Sequence, residues 1–153
     1  MIQSLEHISG LSWPTYSAIL EPEKIVSFAT AIGEINPIYH NSMTAKAAGF
    51  RDIPAPPTYL FCIDFEQDRF ERRLADMGIG LEQILHVEQS FSSIVRAVAG
   101  DEISFTARVS DCFLRKGGAL LFVRIETQIE NRNGPVGIMC STMAARLDTG
   151  AQV

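Results

Sequence analysis

Residues 33 to 41 read GEINPIYHN and gather a carboxylate (Glu34), an amide (Asn36), a phenol (Tyr39) and an imidazole (His40) around Pro37. A carboxylate and an imidazole are the usual groups of general acid–base chemistry. The same letters also describe a polar turn leaving a helix, because Asn-Pro favours turn initiation. A carboxylate near a helix C-terminus is electrostatically disfavoured, which weakens a purely stabilising role for Glu34. Tyr39 is a poor base near neutral pH, since a phenol loses its proton only near pH ~10, and a packed aromatic with a bonded hydroxyl is its simpler role. His40 is either an acid–base group or a partly exposed loop histidine.

Two short helices should hold this segment. EPEKIVSFATAIG opens with Pro22 in the first turn, spaces Ile25, Phe28, Ala29 and Ile32 on one face, and ends at Gly33. SMTAKAAGF places Met43, Ala47 and Ala48 together, with Gly49 suited to a left-handed cap. RDIPAPPT, with three prolines in eight residues, forces an extended stretch. TYLFCIDFEQDRFERRLADMG then reads as a single long helix, apolar nearly all round at its start and amphipathic around Phe70, Leu74 and Met77.

From residue 83 the period becomes alternating. In ISFTARVSD, Ile103, Phe105, Ala107 and Val109 oppose Ser104, Thr106, Arg108 and Ser110. ALLFVRIETQI repeats this with Leu121, Val123, Ile125 and Ile129, and PVGIMCSTMAARL gives another long strand. RKGGA and NRNG supply turns, Gly134 after Asn133 being a strong hairpin signal. With a brief strand around residues 13 to 20, the expectation is one α+β domain over residues 1–153: three helices, then a long antiparallel meander wrapping the longest helix.

Composition excludes several roles. Hydrophobic residues make up 46% and charged residues 20% of the 153, which suits a folded globular domain. The net charge is -5 and the 13 Lys and Arg are scattered, so nucleic acid has no basic footprint to bind. The first residues lack a secretory pattern and no stretch of about 18 apolar residues predicts a membrane span, so a cytoplasmic protein is expected. Cys62, Cys112 and Cys140 lie in apolar surroundings and read as reduced, buried thiols. His7, His40 and His86 are not spaced as a metal pair, so no metal and no cofactor is expected.

In order along the chain, FATAIGEINPIY, AKAAGF, IPAPPTYLF, HVEQSF and AGDEISFTARV, with a closing strand, resemble the N-terminal-type MaoC-like dehydratase domain, a hot-dog fold. The resemblance runs from about residue 21 to about residue 146. It extends to (R)-specific enoyl-CoA hydratases and to β-hydroxyacyl-carrier-protein dehydratase subunits. It implies an antiparallel sheet around a central helix, hot dogs paired as a homodimer or as a heterodimer with a second hot-dog subunit, and thioester substrates on CoA or acyl carrier protein. It also implies hydro-lyase chemistry in fatty-acid metabolism, the interconversion of 2-enoyl and 3-hydroxyacyl thioesters.

In active members the matching segment reads aspartate, any residue, asparagine, proline, an aliphatic residue, histidine, and the carboxylate and imidazole share one water. Here Glu34 takes the aspartate position, Asn36 the asparagine position and Tyr39 the histidine position, with His40 one residue later. A glutamate carries its carboxylate further out, and small displacements matter for near-attack geometry. A second departure is Pro57, which falls where a glycine N–H at the central helix binds the thioester oxygen; proline has none, leaving Thr58. Non-catalytic subunits of two-subunit dehydratases share both departures.

The expected site is therefore Glu34 and His40 as the reactive pair, Asn36 orienting, and Tyr39, Pro57, Thr58 and His86 meeting substrate. His86 is also readable as a structural imidazole, and Arg96, Arg115 and Lys116 either meet CoA phosphates or are solvated charge. Two alternatives accompany the hydro-lyase reading. One is a non-catalytic substrate-binding partner subunit of a two-subunit dehydratase. The other is a hot-dog acyl-CoA thioesterase using Asp64 or Glu66 on the central helix.

Overall fold

The computed structural model describes residues 4–66, 68–93 and 95–147. Five strands form one antiparallel sheet: β1 (Tyr16–Ile19), β2 (Ile84–Ser93), β3 (Glu102–Arg115), β4 (Leu120–Asn131) and β5 (Gly134–Arg146). Their spatial order is β1-β3-β4-β5-β2. Only β3 to β5 make the expected meander. β2 pairs with β5, Phe91 opposite Met139 and Gln89 opposite Ser141. It does so because the chain leaving β2 does not turn back as a hairpin. It bonds across to residues 53–55 instead, Ala55 N donating to Ala97 O at 2.9 Å and Ala99 N to Ile53 O at 2.8 Å.

The helices are α1 (Leu5–Ser9), α2 (Pro22–Ala31), α3 (Ser42–Ala47), α4 (Tyr59–Asp64) and α5 (Arg69–Met77). Helix α1, capped by Ser4 Oγ at 3.2 Å from His7 N, was not expected from the sequence. Helices α2 and α3 match the expected segments. Each ends in the same way, with glycine in the left-handed region: Gly33 (φ 73°) and Gly49 (φ 90°) let the next residue's N–H reach back to Ala29 O and Ala45 O.

The expected single central helix is broken, and this corrects the sequence reading. After α4 the backbone tightens, Phe65 N and Glu66 N bonding to Cys62 O and Ile63 O at 3.1 Å, and Asp68 then takes a left-handed conformation (φ 56°). Arg69 Nη1 donates to the carbonyls of Ile63 at 3.1 Å and Glu66 at 2.8 Å. Arg73 of α5 then reaches back to Asp64 of α4 with a bidentate pair at 2.6 and 2.8 Å. These tertiary bonds stabilise the break, which periodicity alone does not encode.

Alternation along the strands sets the core as expected. Ile103, Phe105, Ala107 and Val109 of β3 and Leu121, Val123, Ile125 and Ile129 of β4 are buried. The buried residues fall into two clusters, one around Leu20, Ile25, Phe105 and Val136, the other around Leu74, Met77, Leu121 and Val123. The cysteines are unpaired but not buried as expected: Cys62 is exposed and Cys112 and Cys140 are half-buried. Cys62 is not among the buried residues of α4, which are Tyr59, Leu60, Ile63 and Asp64, and Cys140 pairs with Glu126 on the outer sheet face. Among the described residues no helix is long and apolar enough to cross a membrane.

Candidate active site

The segment from residue 33 to 41 is organised by its own backbone. Glu34 Oε1 accepts from Asn36 N at 2.9 Å, and Asn36 Oδ1 accepts from Ile38 N at 3.2 Å, capping a one-turn 3-10 helix at Pro37–Tyr39. His40 Nε2 lies 2.7 Å from the main-chain oxygen of Glu34. A carbonyl can only accept, so Nε2 carries the hydrogen and Nδ1 is the ring atom left to take a proton. Asn41 Oδ1 caps α3 by accepting from Thr44 N at 3.0 Å. The loop therefore brings Glu34, Asn36, Tyr39 and His40 together, with the Glu34 carboxylate and the His40 imidazole each engaged by main chain.

Tyr39 points out of this turn. Its hydroxyl accepts from Arg96 Nη1 at 3.3 Å, and the Arg96 guanidinium lies 5.7 Å from the Phe50 ring centroid. Arg96 in turn borders a narrow crevice with Pro57, Leu60, Phe91, Val136 and Met139, between the start of α4 and the ends of β2 and β5. Its room is about 20 Å³, and neither Glu34 nor His40 lines it. Pro57, which lines it, and the neighbouring Thr58 are exposed, and Thr58 makes no side-chain cap bond to α4. The Tyr59 N–H is occupied by Pro56 O at 2.9 Å. Arg96 is thus a cation beside a helix start where Pro57 offers no N–H. From the sequence Arg96 is one of three cations readable as a CoA-phosphate contact or as solvated charge; its pairing with Tyr39, 57 residues away, is not legible there.

His86 stands apart from these groups. It is exposed on the edge strand β2, with its ring stacked on Phe61 at 5.6 Å between centroids. A broad groove, bordered by Leu85, Phe122 and Ala144, lies at the other end of the strands from Pro57.

Asp64 turns inward rather than toward solvent. Besides Arg73 it accepts from the Tyr16 hydroxyl at 2.7 Å. Burial, and next the Asp64 carboxylate, hold the Tyr16 phenol protonated well above its ordinary range. The Tyr16 ring carries Arg69 3.7 Å from its centroid. Glu66, the other carboxylate on this stretch, is exposed and lies 4.0 Å from Lys24. Among the described residues no three of His, Cys, Asp and Glu converge as a metal site would require.

Comparison with known proteins adds to this picture. Residues 8–138 match the family described as the FAS1-like dehydratase domain region. A UPF0336 protein of Leifsonia xyli subsp. xyli is 33% identical over 145 residues, spanning 92% of this chain and 95% of that one. Among solved structures, the C-terminally truncated HadBC (3R-hydroxyacyl-ACP dehydratase) complex of Mycobacterium tuberculosis superposes with a TM-score of 0.78 at 21% identity, covering 90% of this chain and 97% of that one. The (R)-hydratase of A. caviae involved in PHA biosynthesis gives a TM-score of 0.66 at 17% identity, over 91% of this chain and 96% of that one. Both superpositions establish a common hot-dog fold.

Proposed function

The chain belongs to the FAS1-like dehydratase-domain family, and from that premise we propose that it is one subunit of a cytoplasmic acyl-thioester hydro-lyase, binding substrate beside a second hot-dog subunit that carries the reactive pair. The reaction is the reversible hydration of a 2-enoyl thioester, on CoA or acyl carrier protein, to the 3-hydroxyacyl form in fatty-acyl metabolism. The observation that carries this reading is the state of the 33–41 loop. Its carboxylate takes a backbone N–H and its imidazole a backbone carbonyl, Tyr39 holds the position of the active members' histidine, and Pro57 removes a donor for the thioester oxygen.

An available sheet edge supports the pairing. β2 ends the sheet, and Leu85 and Val87 on it are 67% and 50% exposed, a surface that a second hot dog would cover. One solved structure with this fold, superposing with a TM-score of 0.78, is itself a dehydratase complex. Three unpaired thiols suit a reducing compartment.

A second reading keeps one specific observation in its favour. His40 Nδ1 remains able to accept a proton within the same turn as Glu34, so a self-sufficient homodimer using Glu34, His40 and Asn36 has the necessary groups. No comparable observation favours thioesterase chemistry, because Asp64 is engaged by Arg73 and Tyr16.

The test is hydration of crotonyl-CoA, followed by loss of the conjugated absorbance. The chain is assayed alone and after co-expression with a hot-dog subunit bearing the aspartate-x-asparagine-proline-aliphatic-histidine segment. The pair should be active and the chain alone inert. Full activity of the chain alone would favour the homodimer.

A further inference from the structure

A short polar line interrupts the apolar inner face of the sheet. Gln89 of β2 and Ser141 of β5 sit directly opposite each other, and Thr127 of β4, 3% exposed, occupies an inward position between Ile125 and Ile129. Above them lies the buried Asp64–Arg73 pair, at the break between α4 and α5. The two hydrophobic clusters of the core lie on either side of this polar belt.

The belt surrounds a crevice with about 10 Å³ of room, close to one water or one hydroxyl group. Met139, with its flexible thioether, lines both this crevice and the one that opens at Pro57. One polar atom there is unmatched by the protein: Gln89 Oε1 is buried and no donor meets it. The amide is oriented with Gln89 Nε2 3.4 Å from Ser90 O, which can only accept. A buried acceptor without a donor costs about 1–3 kcal/mol and calls for an explanation.

We propose that the inner crevice is the far end of the acyl site and selects chains that carry a hydroxyl group there, which donates to Gln89 Oε1 after Met139 swings aside. This rests on the thioester reading above. A wholly apolar chain reaching that depth would leave Gln89 Oε1 unmatched and would lie against the Asp64–Arg73 pair, so the belt discriminates against it.

The experiment is calorimetric titration of the full chain, with CoA alone as control, using two ladders of saturated acyl-CoA thioesters of increasing length, one plain and one ω-hydroxylated. At one length the hydroxylated thioester should bind about tenfold more tightly than its plain counterpart. Gln89→Leu should abolish or invert that preference, and Gln89→Met, of similar length but without the amide oxygen, serves if the first variant does not fold. Equal binding of the two ladders, or a preference that survives both substitutions, overturns the proposal and assigns Gln89 Oε1 to an ordered water only. Failure of every acyl-CoA to bind more tightly than CoA itself, to the chain alone and to the assembled hot-dog pair, removes the thioester reading too, whereas length-dependent binding without hydroxyl preference removes only this inference.

Discussion

Two carboxylates in this protein, Glu34 in the loop after α2 and Asp64 at the end of α4, are both held by hydrogen bonds, yet their surroundings differ. Glu34 is half-exposed and accepts from one backbone N–H within its own turn. Asp64 is 6% exposed and accepts two bonds from Arg73 and one from Tyr16, joining α4, α5 and β1. The contrast teaches that a sequence pattern and a buried polar network are different signals. The loop is conspicuous in sequence and is organised locally. The network is dispersed over 58 residues of chain and determines how the central helix breaks.

Removing Asp64 should have the largest effect. Asp64→Ala leaves the Arg73 guanidinium buried without its partner and should cost about 3–5 kcal/mol in denaturant unfolding, whereas Asp64→Leu with Arg73→Met should recover much of that loss. If Asp64→Ala cost no more than a surface substitution, the network would not be what holds the break.

Tyr16→Phe sharpens the comparison through pH. Deleting a hydrogen bond to a charged group should cost about 1.5–3 kcal/mol at neutral pH. The folded protein holds the Tyr16 proton more tightly than the unfolded chain, so this contribution is complete below the unfolded phenol's value near pH ~10 and declines as pH rises above it. Urea unfolding between neutral pH and pH ~11 should therefore show the gap between wild type and Tyr16→Phe narrowing on the alkaline side. A constant gap would contradict the assignment.

The smallest effect on stability is expected in the loop. Glu34→Ala removes one bond from a half-exposed turn and should cost about 0.5–1.5 kcal/mol. Asn41→Ala, which removes the α3 cap, should cost about 1 kcal/mol. A loss at Glu34 comparable with that at Asp64 would make the loop a structural keystone rather than a local turn.

How far each region was legible follows from the range of its interactions. Helices α2 and α3 were legible because apolar spacing, Pro22, Gly33 and Gly49 act within a few residues. The strands were legible because alternation reports burial residue by residue, as in Ile103 to Val109. The break at Asp68 was not, since Arg69 and Arg73 could have served any exposed helix face and only their tertiary partners distinguish them. The place of β2 beside β5 was hidden for the same reason, being set by bonds between residues 53–55 and 97–99. In the candidate site, the loop groups were legible as a set, while the link from Tyr39 to Arg96 was not. Thr127 could have been found by parity, as the inward position between Ile125 and Ile129.

The most direct test of the central claim is the steady-state hydration rate of crotonyl-CoA by the assembled hot-dog pair in which this chain carries both Glu34→Ala and His40→Ala. If the partner subunit supplies the reactive pair, the rate stays within about twofold of the unsubstituted complex, since little transition-state stabilisation is lost. A fall of about a hundredfold or more, with the complex still folded and assembled, would place the acid–base chemistry in this chain and contradict the account.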